Sequence, residues 1–274
     1  MSAESSPTVR KLRLGMQLRK LRARSGATML EAAASVARTD STISRLETGH
    51  VCVSQNVLEK LCDLYAASPE ERNALRTLAR QARQRGWWQP YGESLLPGFS
   101  TYLGLETEAA TVSVYAPGAV PGFLQSADYA SALAAGNEED GRIRRAINEG
   151  RRLRLTGKNL EVVLHEGGLR QRIGGSEVMA GQLRLLAARA DLRVVPFEAG
   201  AYAALSGSGF TVLSTPLGGG ADYAAVYVES LVSGTMLDRQ SQVEHYQEAF
   251  RRLPALDPAR SRALIVGIVE ELTG

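Results

Sequence analysis

Ser41-Thr-Ile-Ser-Arg-Leu-Glu-Thr-Gly49 is the stretch that decides how the first third of this chain folds. Ile43 and Leu46 are three apart, so both point from one side of a helix into a core. Asp40, Ser41, Thr42, Ser44 and Arg45 are left for the other side. Gly49 is the expected C-terminal stop, and Thr39 or Asp40 supplies the N-terminal cap. Upstream, Leu14, Leu18 and Leu21 form one stripe of an earlier helix that Gly26 ends. Thr28-Met-Leu-Glu31 is a capping box that opens a short second helix through residues 32–37. Downstream, Ser54 starts a fourth helix with Val57, Leu58, Leu61, Leu64 and Tyr65 turned inward. Ser68-Pro-Glu-Glu71 starts a fifth, with a cap, a proline in the first turn and acids against the dipole. That helix carries Leu75, Leu78, Ala79 and Ala82 on one side and Arg72, Arg76, Arg80 and Arg83 on the other.

Five short helices with a tight turn between the second and third make a helix-turn-helix arrangement, whose later helix enters a DNA major groove. Charge points the same way. Residues 1–90 hold 15 Lys/Arg against 8 Asp/Glu, a net of +7, whereas residues 91–274 hold 17 against 21, a net of −4. A basic unit joined to a mildly acidic one reads either as a first unit that alone meets a polyanion, its basic helix faces following phosphate, or as a solvated basic helix face. Arg45 is the long donor on the exposed face and can take guanine O6 and N7 together. Ser41, Thr42 and Ser44 reach bases or phosphates. Thr28, at a helix N-terminus, is placed for a phosphate. Asp40 is either a cap or an acceptor for a cytosine amine.

The 41–49 stretch resembles the recognition helix and following turn of Xre/phage-repressor-type DNA-binding domains. That resemblance implies that Glu47 pairs with a helix-one arginine, here Arg22, as a structural ion pair. This sequence departs from the family pattern at four places. Met29 and Asp40 stand where glutamines are common, Ala37 where the turn glycine is common, and Ala32 where a leucine is usual.

After residue 85 the pattern changes. Gly86-Trp-Trp-Gln-Pro-Tyr91 is an abrupt aromatic patch, read either as a stacking surface for nucleic acid or as a hinge where domains pack. The boundaries expected are 1–85 for the helix-turn-helix domain, 86–100 for an aromatic linker, and 101–274 for a regulatory or partner-binding domain. Pro117 and Pro121 precede glycines and mark turns. Ser126 opens a helix, and an arginine-rich helix covers about residues 140–155. Residues 160–165, 192–197, 209–215 and 224–229 are β-branched or aromatic runs read as strands. Residues 177–189 and 238–253 read as helices, and Asp257 caps a last one. The fold class expected is an all-α five-helix unit followed by an α+β domain with a small sheet.

This second region resembles, nearly end to end, the C-terminal domain of WhiJ-like regulators of actinobacteria. The resemblance rests on Trp87-Trp88, Gly104-Leu-Glu-Thr-Glu-Ala109, Val120-Pro-Gly-Phe-Leu-Gln125, Tyr129-Ala130, Leu164-His-Glu-Gly-Gly-Leu169 with Arg172, Gln182-Leu183, Val195-Pro-Phe197 and Tyr227-Val-Glu229. It implies a transcription regulator and a small partner protein encoded nearby.

Enzyme signatures are missing. His165-Glu166 begins like a zinc-protease motif, but Leu169 stands where the second histidine belongs, and His50 and His245 are the only others. Ser206-Gly-Ser-Gly209 lacks the Lys-Ser/Thr that completes a phosphate loop, Gly218-Gly-Gly220 reads as a turn, and no G-x-S-x-G elbow occurs. Cys52 and Cys62 lie ten apart with no clustered histidine, so no metal and no cofactor is expected. Glu106, His165, Glu166 and Glu229 are read as structural polar residues, as the lining of one pocket for a cationic or polar ligand or a peptide, or as groups for acid–base chemistry. Trp87, Trp88 and Phe123 are further candidates for partner contact. Nothing is apolar enough to span a bilayer or to form a leader's h-region, so a cytoplasmic, nucleoid-associated protein is expected. The expected partners are double-stranded DNA, the small partner protein and a second copy in a homodimer. The alternative is an antitoxin-like interaction protein that sequesters the small partner and autoregulates its operon.

Overall fold

The computed structural model describes residues 6–218 and 221–274; Met1 to Ser5 and Gly219-Gly220, the latter part of the glycine run read as a turn, lie outside the described residues. The chain divides into two compact units, the first Met1–Gly86 with Leu217–Ala221 and the second Trp87–Pro216 with Asp222–Gly274.

The first unit is helical: α1 (Pro7–Ser25), α2 (Met29–Ser35), α3 (Asp40–Glu47), α4 (Gln55–Leu64) and α5 (Pro69–Gln81). Every helix starts on a hydroxyl cap: Ser6, Thr28, Thr39, Ser54 and Ser68 each accept an amide of the first turn. The cap of α3 is therefore Thr39, and Asp40 is its first residue. Leu14, Leu18, Leu21, Ile43, Leu46, Leu58, Leu61 and Leu75 close one apolar core. Gly15 lets α1 press against the end of α3, because a Cβ there would sit 2.5 Å from the Glu47 carbonyl oxygen. Helix α2 stops at Ser35, short of the expected 37, because Ala37 turns left-handed with φ of 51°. The turn forces that conformation even without a glycine, at some steric cost.

The second unit is α+β. Its elements are α6 (Phe99–Glu108), β1 (Thr111–Ala116), α7 (Ala127–Leu133), α8 (Glu138–Leu155), β2 (Asn159–His165), α9 (Glu166–Arg170), α10 (Gly175–Ala187), β3 (Leu192–Val195), β4 (Phe210–Gly218), β5 (Ala221–Glu229), β6 (Gly234–Leu237), α11 (Gln240–Arg251) and α12 (Pro258–Thr273). The six strands lie in the order β3-β2-β1-β4-β5-β6. β1, β2 and β3 run parallel, joined by helical crossovers, while β4 is antiparallel to β1 and β6 to β5. Tyr115, Val163, Val195, Phe210, Val212 and Val226 share a core with Val243 and Phe250 of α11. Helix α12 packs on α10 and β3. The sheet holds two strands beyond the four expected. β1 (Thr-Val-Ser-Val-Tyr-Ala) alternates only over its first four residues before Val114 and Tyr115 are buried in succession, and β6 is only four residues long.

Candidate nucleic-acid interface

Helix α3 has an inner and an outer face, as its residue spacing dictates. Ile43, Leu46 and Glu47 are buried. Asp40, Ser41, Ser44, Arg45 and Thr48 are exposed, and Thr42 is half-buried with its hydroxyl 3.0 Å from that of Thr39. Arg45 makes no ion pair among the described residues, so its guanidinium is available. Asp40 Oδ1 accepts the Ser41 amide at 2.7 Å. Arg38, in the turn before α3, and His50, just beyond it, are exposed as well. Sequence spacing gave neither a role. Their signal was position alone, next to the two ends of the helix. Thr48 donates its hydroxyl proton to the Ser44 carbonyl oxygen, so it accepts from His50 Nδ1 at 2.8 Å. The outward atom of that ring is then Nε2.

The inner face is held by Arg22. Its Nε and Nη2 donate to Glu47 Oε1 and Oε2 at 2.6 and 2.9 Å, and Nη1 donates to the Ala27 carbonyl oxygen. Glu47 is 6 % exposed. The hydrogen bond to Glu47 raises the Arg22 guanidinium above its ordinary range. The Tyr65 hydroxyl beside the pair is pushed up to about 12, mainly by burial and then by the Glu47 charge. The pair ties α1 to α3 and sets the angle at which the outer face is shown.

Thr28 is already engaged. Its hydroxyl accepts the Glu31 amide, and its amide and hydroxyl both donate to the Glu31 carboxylate. Those bonds hold the Glu31 carboxyl below its usual range. The fifth helix is also less free than its basic stripe suggests. Arg72 and Arg76 both pair with Glu59, Arg72 also with Asp63, and Arg24 pairs with Glu71. Arg83 donates to the Val53 carbonyl oxygen. A count of the arginines along that stripe therefore overstates its free cations, while Arg38, Arg45 and Arg80 are exposed.

In the second unit the four polar candidates fall into two groups rather than one pocket. Glu106, 2 % exposed, takes Nε and Nη2 of Arg151 at 2.9 and 2.7 Å. Tyr102 donates to the same carboxylate and accepts from Arg151 at 2.8 Å. Phe99, Tyr102 and Phe123 surround the guanidinium. Burial alone would lower the Arg151 pKa, but Glu106 and Tyr102 together hold it above the ordinary value. Tyr227 stacks on Tyr102 at 4.3 Å and donates to exposed Glu229, which links Glu229 to this first group. The second group lies at the end of β2. His165 Nδ1 accepts the Gly167 amide, and Glu166 accepts from Arg170 and from the Phe197 amide.

Phe123 is buried, so it is not shown to a partner, and Gln125 ties its loop by donating to the Val120 carbonyl oxygen and accepting from Asn148. Trp88 is buried too. Trp87 donates to Thr107 and lies under Arg154, against Gly150. Trp87 thus packs within the second unit, and Trp88 stands edge-on to it. Arg151 escaped the sequence reading because one arginine among many on α8 carries no spacing signal; only its burial distinguishes it.

Among the described residues, no group of three His, Cys, Asp or Glu is placed to hold a metal, and no helix is long and apolar enough to cross a membrane. No curated protein and no solved structure matches the chain. Residues 13–75 match a helix-turn-helix domain, the region containing α3 and the Arg22–Glu47 pair. Residues 99–266 match a domain of unknown function, DUF5753, and cover nearly all of the second unit's sheet and helices. That match spans more than half of the sequence, so the chain belongs to the DUF5753 family, with a helix-turn-helix DNA-binding domain at its N-terminal end.

Proposed function

We propose that this DNA-binding regulator is sequence-specific, of the Xre and WhiJ-like type, and that its second unit answers to a small partner protein encoded nearby. The observation that carries the reading is the outer face of α3: Asp40, Ser41, Ser44 and Arg45 are exposed together, above a helix that Arg22 and Glu47 fix from behind. Arg45 takes a guanine, Ser41, Thr42 and Ser44 reach bases or phosphates, and Arg38 and Arg80 contact the backbone. A phosphate at Thr28 requires the Glu31 carboxylate to swing away first. One such face offers few base contacts, so two copies bind a two-fold site with half-sites about 34 Å apart. A protein rather than a small molecule as effector is favoured by exposed apolar residues on the second unit, Leu231 at 98 %, Val232 at 76 % and Phe197 at 57 %. The protein is placed in the cytoplasm, on the nucleoid.

The test is binding to DNA from upstream of its own gene, with and without the neighbouring small protein, at two salt concentrations. Tight, selective binding that shifts with the partner supports the reading. Weak, non-selective binding lost at modest salt means backbone contact alone and moves the assignment to an antitoxin-like interaction protein.

A further inference from the structure

We propose that Asp40 reads a cytosine, so that each half-site carries a C at one fixed position about two base pairs from the guanine taken by Arg45. The proposal rests on the DNA-binding reading of α3 and names what that face recognises. Thr39 caps the helix through its own hydroxyl, so Asp40 is not needed as a cap. Its side chain is exposed and makes no ion pair among the described residues. The Ser41 amide holds Oδ1 at 2.7 Å, which restrains the carboxylate and leaves Oδ2 as the oxygen outside that bond. A carboxylate accepts and cannot donate, and phosphate repels it. In the major groove it finds donors only on the amino groups of cytosine and adenine. Adenine sets its N7 acceptor beside that amino group, facing the second carboxylate oxygen with a lone pair. Cytosine offers the amino group with no acceptor next to it on its own edge, so it is the base that fits.

Position along the helix sharpens this. Asp40 and Ser44 form one i, i+4 row of the outer face, and Ser41 and Arg45 form the next. Asp40 and Arg45 are separated by about 7.5 Å of helix rise. That is roughly two base-pair steps of about 3.4 Å, so the two side chains read different base pairs.

The experiment is selection from a randomised DNA pool with the full-length chain, comparing wild type, Asp40→Asn, Asp40→Ala and Arg45→Ala, with thermal unfolding run on each. Wild type should enrich C at one position per half-site. Asp40→Asn should move that position to A, since a side-chain amide pairs with adenine N6 and N7, and leave the guanine unchanged. Asp40→Ala should flatten that position alone, by a factor of about 5 to 100. A motif that wild type enriches and that both folded Asp40 variants enrich identically overturns the proposal while leaving the DNA-binding reading intact. A wild-type chain that enriches no motif overturns both.

Discussion

Each unit contains an arginine–glutamate pair that joins two helices, Arg22–Glu47 from α1 to α3 and Arg151–Glu106 from α8 to α6, and their surroundings differ. The first is edged by solvent, with the Arg22 side chain 16 % exposed, and works from behind a helix whose other face is open. The second is closed in by Phe99, Tyr102 and Phe123, with both Glu106 oxygens and Arg151 Nε and Nη2 met by partners. The same chemistry thus positions an interface in one place and locks a core in the other. A buried glutamate is consequently poor evidence for a ligand pocket until its partner is known.

The largest expected effect comes from breaking the enclosed pair. Arg151→Ala leaves Glu106 and Tyr102 buried without their cation and should cost about 5 kcal/mol, read by denaturant unfolding of the second unit. Replacing both members, as Arg151→Met with Glu106→Leu, should recover most of that loss. A double variant as unstable as the single one would show that the pair itself, rather than an orphaned charge, sets stability. Arg22→Ala comes next, at about 3 kcal/mol, because water can reach part of the pair. An unchanged melting curve would remove this pair from the account. Ala37→Gly should stabilise the first unit by about 0.5–1 kcal/mol, since glycine adopts the left-handed turn without the Cβ penalty; a lower denaturation midpoint would contradict it. The smallest effect concerns Glu71, whose carboxyl is lowered to about 2 by Arg24 and then by the Ser68 amide. A carboxyl depressed in the fold adds stability above its ordinary value of 4.5 and loses it as pH falls toward 2. Glu71→Gln should flatten that acid limb, and an identical pH profile would show that the exposed pair contributes nothing.

Legibility in the sequence followed the range of the interactions. The five helices of the first unit were readable because caps, stripes and stops are local: Thr28 with Glu31, Ile43 with Leu46, and Gly49 after α3. The exposed face of α3 was readable for the same reason. β1 and β6 were not, because their strand character comes from neighbours distant in sequence, as when Val114 pairs with Val162 on one side and Thr211 on the other. Glu106 was a candidate from the sequence, but its partner lies 45 residues away on α8. Phe123 read as a candidate for partner contact because the chain alone does not show that Arg151 sits on its ring. The basic stripe of α5 was visible, whereas Glu59, which neutralises Arg72 and Arg76, belongs to another helix.

The central claim is that the outer face of α3 recognises sequence while the Arg22–Glu47 pair behind it only sets its pose. The most direct test measures affinity of wild type and Arg45→Ala for selected and scrambled DNA at one salt concentration, with the melting temperature of each protein. The account predicts that Arg45→Ala loses about 5- to 100-fold on the selected site, little on scrambled DNA, and nothing in melting temperature. Equal loss on both DNAs would contradict it, and would make Arg45 a phosphate contact rather than a reader of bases.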